Sequence, residues 1–177
     1  MSSLRDVEFK PVTVRTRAGR LVKVREYNAD DFAALVEMYK TFEPKRVAQG
    51  LPPPDVPRIA HWLDQLQQKS RSLIALDGKR IVGHAILCPI SDTSVEYTIF
   101  IHQDFRELRL GTALTRLDLQ FAAEMGFQQV YLTTELANYA AMSLYRKIGF
   151  RVTSSSGDEC EMKIDIADFL SSLACAA

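Results

Sequence analysis

The sequence predicts a single domain of mixed α/β class. Eight short segments rich in β-branched and aromatic residues are typical of strands, and four longer ones with apolar residues three or four positions apart are typical of helices. They follow one another in the order ββαα-βββ-α-β-α-ββ, without internal repeats or low-complexity tracts. The 177 residues are 47% hydrophobic and 25% charged, as in an ordinary globular domain. We therefore expect one domain over residues 1–177.

The first third of the chain predicts a hairpin followed by two helices. Residues 1–11 are expected to form a flexible start, and Leu21–Glu26 the better strand of the hairpin. Asn28 or Asp30 can cap the first helix, and the second is expected over about residues 56–69. Between the helices, residues 42–57 contain five prolines, which exclude continuous regular structure. This segment is interpreted equally well as a functional loop or as a flexible linker.

The middle of the chain predicts a meander of three strands and then a helix. Asp77-Gly78 is a hairpin turn between strands at residues 72–76 and 81–90. In residues 95–101, apolar side chains alternate with other side chains, which predicts the third strand. Residues 112–126 place apolar side chains on one helical face.

The last third predicts a strand, a helix and a closing hairpin. The strand covers residues 130–134, and the helix begins at Asn138, which can act as its N-cap. Gly149 suits the left-handed residue that ends a helix. The hairpin covers about residues 150–164, and residues 166–177 form a C-terminal tail with a short helical pattern.

Charge and cysteine content argue against several classes of protein. Lysine plus arginine and aspartate plus glutamate each number 22, so we expect no nucleic-acid partner. Three distant cysteines form neither a disulfide framework nor a zinc motif, and His61, His84 and His102 lack metal-ligand spacing, so we expect no metal. His102 is expected at the surface. There is no apolar signal core and no run of about 18 apolar residues, so we expect a cytoplasmic protein without a membrane partner.

Residues 95–114 combine a strand, a basic turn and the start of a helix. The first N–H groups of a helix lack internal partners, and the helix dipole favours an anion there. Arg106 and Arg109 add positive charge to the turn, and Gly111 allows a close approach. These features predict a phosphate site, although an ordinary crossover with surface arginines fits the same residues equally well.

Two motifs resemble those of the GNAT superfamily of acyl-CoA-dependent N-acyltransferases. The first reads Arg/Gln-x-x-Gly-x-Gly/Ala in that family and is matched at Arg106 and Gly111, with a departure at Arg109. The second, Asn-x-x-Ala-x-x-Leu-Tyr-x-x-x-Gly-Phe, is matched in full at Asn138, Ala141, Leu144, Tyr145, Gly149 and Phe150. The resemblance is firm over about residues 70–152. The opening is similar to GNAT domains attached to acyl-CoA ligases in bacterial protein-lysine acetyltransferases.

The resemblance implies a central, mostly antiparallel sheet, flanked by helices, whose strands splay at the cofactor site. Acetyl-CoA would be the acyl donor, its pantetheine arm pairing with the strand that ends at residues 99–101. Its pyrophosphate would lie on the N–H groups of the glycine turn. The implied cofactor-binding residues are Ile99, Phe100, Ile101, Arg106, Glu107, Leu108, Arg109, Leu110, Gly111, Thr112, Asn138 and Tyr145.

Arg109 stands where the family most often has its first glycine, and this allows two interpretations. It can have an ordinary backbone angle, with its guanidinium adding a phosphate contact. Alternatively, the turn is distorted and holds the cofactor weakly. We expect the ordinary angle, because Arg106 and Gly111 match the motif and anion binding at a helix start needs only the amides.

The resemblance also implies two catalytic residues. Tyr145 would protonate the departing thiolate of coenzyme A, although helical patterning alone favours a core tyrosine. Glu96 stands ten residues before Arg106, where many family members place a glutamate that deprotonates the amine. The alternative for Glu96 is an outward-facing acid on a strand.

The acceptor is expected to be a primary amine of a small molecule, a protein lysine or a protein N-terminus, attacking directly in a ternary complex. In this fold the first helices and the loop after them often shape the acceptor site, which indicates Tyr39, Phe42 and Arg46. Lys45 and Arg46 suggest an acidic feature on the acceptor. The alternative function is a non-catalytic acyl-CoA-binding regulatory module. The oligomeric state, a homodimer included, is left open.

Overall fold

A computed structural model describes residues 6–44 and 52–175. The strands are β1 (Val12–Arg15), β2 (Leu21–Glu26), β3 (Arg71–Asp77), β4 (Arg80–Pro89), β5 (Ser94–Ile101), β6 (Gln129–Glu135), β7 (Arg151–Ser156) and β8 (Glu159–Asp165). The helices are α1 (Phe32–Thr41), α2 (Val56–Gln67), α3 (Leu110–Glu124), α4 (Tyr139–Ile148) and α5 (Ile166–Cys175). This is the predicted order, with α5 in the expected tail, so the mixed α/β prediction is confirmed.

The described strands form one sheet in the order β1-β2-β3-β4-β5-β6-β8-β7. Neighbouring strands are antiparallel except β5 and β6, which are parallel and are connected through α3. Two parallel strands cannot be joined by a tight turn, so the chain crosses over through a helix. The predicted mostly antiparallel sheet is therefore confirmed, and its one parallel pair lies at its centre.

Helices cover the two faces of the sheet unequally. The larger core joins one face to α3, α4 and α5 and includes Leu114, Phe121 and Phe169. The smaller core packs α1 and α2 against β3, β4 and β5 on the other face. On that second face, alternate residues of β6 and β8 such as Thr133 and Glu161 remain exposed. The sheet therefore presents an open surface beside α1 and α2.

The predicted helix ends are confirmed by their hydrogen bonds. Asn28 forms a capping box with Asp31 in a 3-10 turn just before α1, and Arg25 holds the Asp31 carboxylate at 2.7 Å. The Asn138 side chain accepts from the Ala141 N–H at 3.2 Å. Gly149 ends α4 at a φ of 119°, in the left-handed region that favours glycine.

Two local expectations differ from the structure. Within the expected flexible start, Phe9 is buried with its ring 5.4 Å from that of Phe121, and Arg71 donates to the Val7 carbonyl at 2.6 Å. His102 was expected at the surface but is 2% exposed. It accepts from the Asp104 N–H and contacts Arg80, so its imidazole organises the loop after β5. Burial lowers the pKa of His102.

Candidate active site

The central parallel pair of strands separates partway along its length. β5 and β6 are paired only from Ser94 opposite Gln129 to Glu96 opposite Tyr131. Beyond Glu96, β5 continues to Ile101 with β4 as its neighbour on one side. The sheet therefore has an opening at its centre, as expected for a splayed site.

The opened edge of β5 has backbone groups available for an added strand. The Gln129 N–H donates to the Thr93 carbonyl on the β6 side, whereas the His102 N–H donates to Val82 on the β4 side. Backbone groups alternate along a strand, so odd-numbered residues point toward β6. The N–H and C=O of Ile99 consequently face the opening, where β6 no longer pairs with them.

The turn before α3 is built from two left-handed residues. Glu107 has a φ of 61° and Arg109 a φ of 64°. Our expectation of an ordinary backbone angle at Arg109 is therefore wrong: arginine adopts the conformation that the family motif fills with glycine. A left-handed backbone costs a residue with a Cβ about 1–2 kcal/mol. The helix nevertheless starts regularly, with Ala113 N–H donating to the Arg109 carbonyl at 3.1 Å.

The strained turn exposes a run of backbone donors. Among the described residues, no oxygen accepts a hydrogen bond from the N–H groups of Glu107 and of residues 109–112, whereas the Leu108 N–H closes the turn at residues 106 and 107. Left-handed residues in a turn direct successive N–H groups into a concave surface, and such surfaces bind anions. The first turn of α3 adds its dipole. The five unpaired amides make a site for a phosphate group at the end of the opened strand.

The Arg106 guanidinium is directed away from this surface. It donates to the carbonyls of Ile101, at 3.1 Å, and of Glu43, and it stacks over the Phe42 ring at 5.1 Å. In this arrangement it links the end of β5 to the segment after α1. Arg109 is exposed, so its guanidinium is available beside the unpaired amides.

Gly111 allows α3 and α4 to approach each other. A Cβ added at Gly111 would lie 3.2 Å from Leu144 Cδ1, tighter than most side-chain contacts. Leu144 precedes Tyr145 on α4, so the two sequence motifs meet here. Asn138 is exposed at the start of α4, where its capping role is observed and its cofactor contact stays a prediction.

Tyr145 lies on the same face of the sheet as α3. Its side chain is 7% exposed and packs edge-on against the Phe150 ring at 5.6 Å. Burial raises the pKa of Tyr145 above its ordinary value, so the phenol stays protonated. Its hydroxyl makes no hydrogen bond to the residues that the structure describes. A buried phenol without a protein partner can donate to a ligand atom.

Tyr97 was not among the predicted site residues, although it is the first residue beyond the paired part of β5. Burial raises its pKa well above the ordinary value, and nearby Asp118 and Tyr145 raise it further. Its hydroxyl donates to Thr115 Oγ1 at 2.8 Å. The alternation of residues along β5 places Tyr97 on the face that α3 covers. This alternation is the sequence signal that could have indicated Tyr97 as a site residue.

Glu96 stands on the opposite face, at the point where the strands separate. It shares that face with Phe100, which packs against α1 and α2. Its side chain is exposed and borders a depression of about 440 Å³. The depression is lined by Ile90, Ser91, Ser94, Glu96, Tyr131, Leu132, Thr133 and Glu161. A carboxylate here can take a proton from a molecule bound in the depression.

Of the three residues predicted to bind the acceptor, the two that the structure describes, Tyr39 and Phe42, are buried. Tyr39 is completely buried, with its hydroxyl 2.7 Å from His84 Nδ1, and Phe42 is 4% exposed. Both belong to an aromatic cluster with Trp62 and Phe100, so they support the fold rather than contact an acceptor. Arg46 lies outside the described residues.

Over residues 6–44 and 52–175, no group of three or more histidine, cysteine, aspartate or glutamate side chains could hold a metal ion. In the same ranges, every helix is too short or too polar to cross a lipid bilayer.

Comparison with known proteins identifies the family. Residues 32–150 match the model of the Acetyltransferase (GNAT) family, so the chain belongs to that family. It is 29% identical to human N-acetyltransferase 8 over 89 residues, which are 47% of this chain and 39% of that protein. The chain thus spans about two fifths of the length of this relative.

Solved structures share the fold. The GNAT domain of PAT from S. lividans superposes with a TM-score of 0.76 at 17% identity, covering 88% of this chain and 96% of that one. A phosphinothricin acetyltransferase from Sinorhizobium meliloti, solved in complex with acetyl-CoA, gives a TM-score of 0.66 at 20% identity, with 81% and 88% covered. The predicted GNAT fold is confirmed.

Proposed function

We propose that this chain is an N-acetyltransferase that moves an acetyl group from acetyl-CoA to a primary amine in a ternary complex. The observation that carries the proposal is the continuity between the opened edge of β5 and the unpaired N–H groups of Glu107 and of residues 109–112. An extended arm followed by a pyrophosphate needs these two features in this order. The acetyl-CoA complex of a fold relative supports the choice of donor.

In the proposed complex, the pantetheine arm pairs with Ile99 as an added strand. The pyrophosphate accepts from the amides of the turn, and the exposed Arg109 guanidinium adds charge beside it. Leu108, Leu110 and Thr112 contribute through their backbone only. This arrangement brings the thioester to the opening between β5 and β6, with Tyr145 on one face and Glu96 on the other.

The reaction then needs one base and one acid. Glu96 takes a proton from the ammonium of the acceptor, because a protonated amine has no lone pair for attack. The nitrogen attacks the thioester carbonyl, forming the C–N bond, and the C–S bond breaks. Tyr145 gives its proton to the departing thiolate, and the second proton that the nitrogen loses as the amide forms passes through water to restore the phenol. Much of the remaining rate enhancement comes from the orientation of the two substrates and from hydrogen bonds that backbone N–H groups donate to the carbonyl oxygen.

The experiment is a thiol-release assay with acetyl-CoA and a panel of primary amines, including a lysine peptide. Tyr145→Phe should lower kcat by about 10²-fold because it removes the proton donor. Its matched control is Tyr139→Phe on the same helix, whose side chain is 80% exposed. Glu96→Gln should lower kcat/KM at pH 7, whereas Glu159→Gln on the open face should not.

Binding of acetyl-CoA without thiol release from any amine would overturn the enzyme proposal. The chain would then be the non-catalytic acyl-CoA-binding module. An unchanged kcat in Tyr145→Phe, in the presence of acetylation, would remove Tyr145 from the mechanism and leave the enzyme in place.

A further inference from the structure

The acceptor side of the opening carries two carboxylates and no basic side chain. Of the eight residues that line the depression, Glu96 and Glu161 are charged, and both are exposed. In the described part of the chain, neither forms an ion pair with a lysine or arginine. Within the depression, the described lining residues therefore give this negative charge no basic partner.

Strand register separates the two carboxylates by a defined distance. Glu96 is opposite Tyr131 on β6, and Thr133, two residues further along β6, is opposite Glu161 on β8. Two strand spacings across the sheet and two residues along it place the Cα atoms of Glu96 and Glu161 roughly 12 Å apart. Both side chains project from the same face, so they border the depression from opposite sides.

A hydrogen bond holds the far carboxylate, and the nearest base on its strand pairs elsewhere. Thr153 Oγ1 donates to Glu161 Oε1 at 2.7 Å, which restricts the side chain. Lys163, the nearest base on β8, lies 3.4 Å from the Asp165 carboxylate. Between the two glutamates, the Tyr131 hydroxyl donates to Gln129 at 3.1 Å, so its ring is fixed beside the path of a ligand and can contact a cation.

We propose that the acceptor is an amine with a second positive charge, which binds across the depression between Glu96 and Glu161. This inference rests on the proposed function. Glu96 would receive the proton of the reacting ammonium, and Glu161 would pair with the second cation several methylene groups away. Glu161 is thus a specificity-determining residue. Lys45 and Arg46, whose charges predicted an acidic acceptor, lie outside the described residues.

Three amines that each contain five carbon atoms test this inference: 1,5-diaminopentane, pentylamine and 5-aminopentanoate. The diamine should have the highest kcat/KM and the amino acid the lowest. Glu161→Gln should lower kcat/KM for the diamine by about fivefold, the upper range for one exposed ion pair, and change the value for pentylamine much less. Glu159→Gln, the same change on the same strand and outside the depression, should leave the preference intact.

Calorimetric titration of the same three compounds into the complex with coenzyme A separates this inference from the proposed function. If no amine is acetylated, the proposed function fails, and tighter binding of the diamine that depends on Glu161 still supports the charged pocket. Equal kcat/KM or equal affinity for diamine and pentylamine, or equal effects of the Glu161 and Glu159 variants, would overturn the inference.

Discussion

The phenol of Tyr97 donates a hydrogen bond to Thr115 Oγ1 at 2.8 Å, and Thr115 in turn donates to the Gly111 carbonyl at 2.7 Å. Tyr97 lies on β5 just beyond its paired part, and Gly111 lies in the first turn of α3. These two bonds therefore connect the opened strand to the turn whose amides are proposed to bind pyrophosphate. Because Tyr97 and Thr115 are buried, this connection restricts the position of the turn relative to the strand.

Replacement of this phenol should weaken cofactor binding. Tyr97→Phe removes the bond to Thr115, and we expect a loss of about 1 kcal/mol in the free energy of unfolding. The affinity for coenzyme A, measured by calorimetry, should fall severalfold because the turn is less well positioned. Tyr27→Phe, between β2 and the 3-10 turn before α1 and packed against the smaller core on the other face of the sheet, is the control. Equal affinities of the two variants would show that the bond does not position the turn.

The left-handed backbone of Arg109 makes a second prediction. Glycine at position 109 removes the backbone strain of about 1–2 kcal/mol from the folded chain. It also increases the conformational entropy of the unfolded chain, which offsets part of that gain. Arg109→Gly should therefore be more stable than Arg109→Ala by about 1 kcal/mol in chemical denaturation. At the exposed helical position Arg116 the order should reverse, with alanine more stable than glycine by a similar amount. Greater stability of Arg109→Ala would contradict the left-handed assignment.

The buried imidazole of His84 predicts how stability depends on pH. Burial lowers the pKa of His84 to about 3, against about 6.5 in the unfolded chain. Between pH 3 and pH 6.5 the imidazole is protonated in the unfolded chain but not in the folded one. The contribution of His84 to the free energy of unfolding is therefore complete above pH 6.5 and is lost as the pH falls. At pH 5 the loss should reach about 2 kcal/mol. His102, whose pKa is also lowered by burial, contributes in the same direction.

Thermal unfolding between pH 7.5 and 5 measures this effect. His84→Gln should unfold at a lower temperature at pH 7.5 but lose less stability on acidification than the natural chain. His61→Gln, at an exposed position, should keep the original slope. An unchanged slope in His84→Gln would mean that other groups control the acid sensitivity.

Local patterns in the sequence were sufficient to predict the elements of the fold. Hairpin turns, helix caps and the alternation of apolar residues act over a few positions, and so Asp77-Gly78, Asn28 and Gly149 were interpreted correctly. The second GNAT-like motif correctly predicted that Tyr145 lies on a helix. These features depend on residues that are close to one another in the sequence, so a single sequence is sufficient to predict them.

Features that depend on distant residues were not predicted. The left-handed angle of Arg109 reflects how the turn joins β5 to α3, and this overrides the usual preference of arginine. Tyr39 was expected to contact an acceptor, yet it pairs with His84, 45 positions away. The link between Tyr97 and Thr115 likewise crosses from strand to helix. For Tyr39 and Tyr97 the deciding partner comes from another element, so no local pattern indicates it, whereas at Arg109 the glycine of the family motif was a local signal.

Calorimetric titration of acetyl-CoA, compared with S-acetylpantetheine, tests the proposed binding of the donor most directly. The two ligands share the thioester arm, but only acetyl-CoA has the pyrophosphate. Charge-assisted bonds to the amides of Glu107 and of residues 109–112 should make acetyl-CoA bind about 10²-fold more tightly. Equal affinities, or no binding of acetyl-CoA at millimolar concentration, would contradict a phosphate site in this turn and the acetyltransferase function that depends on it.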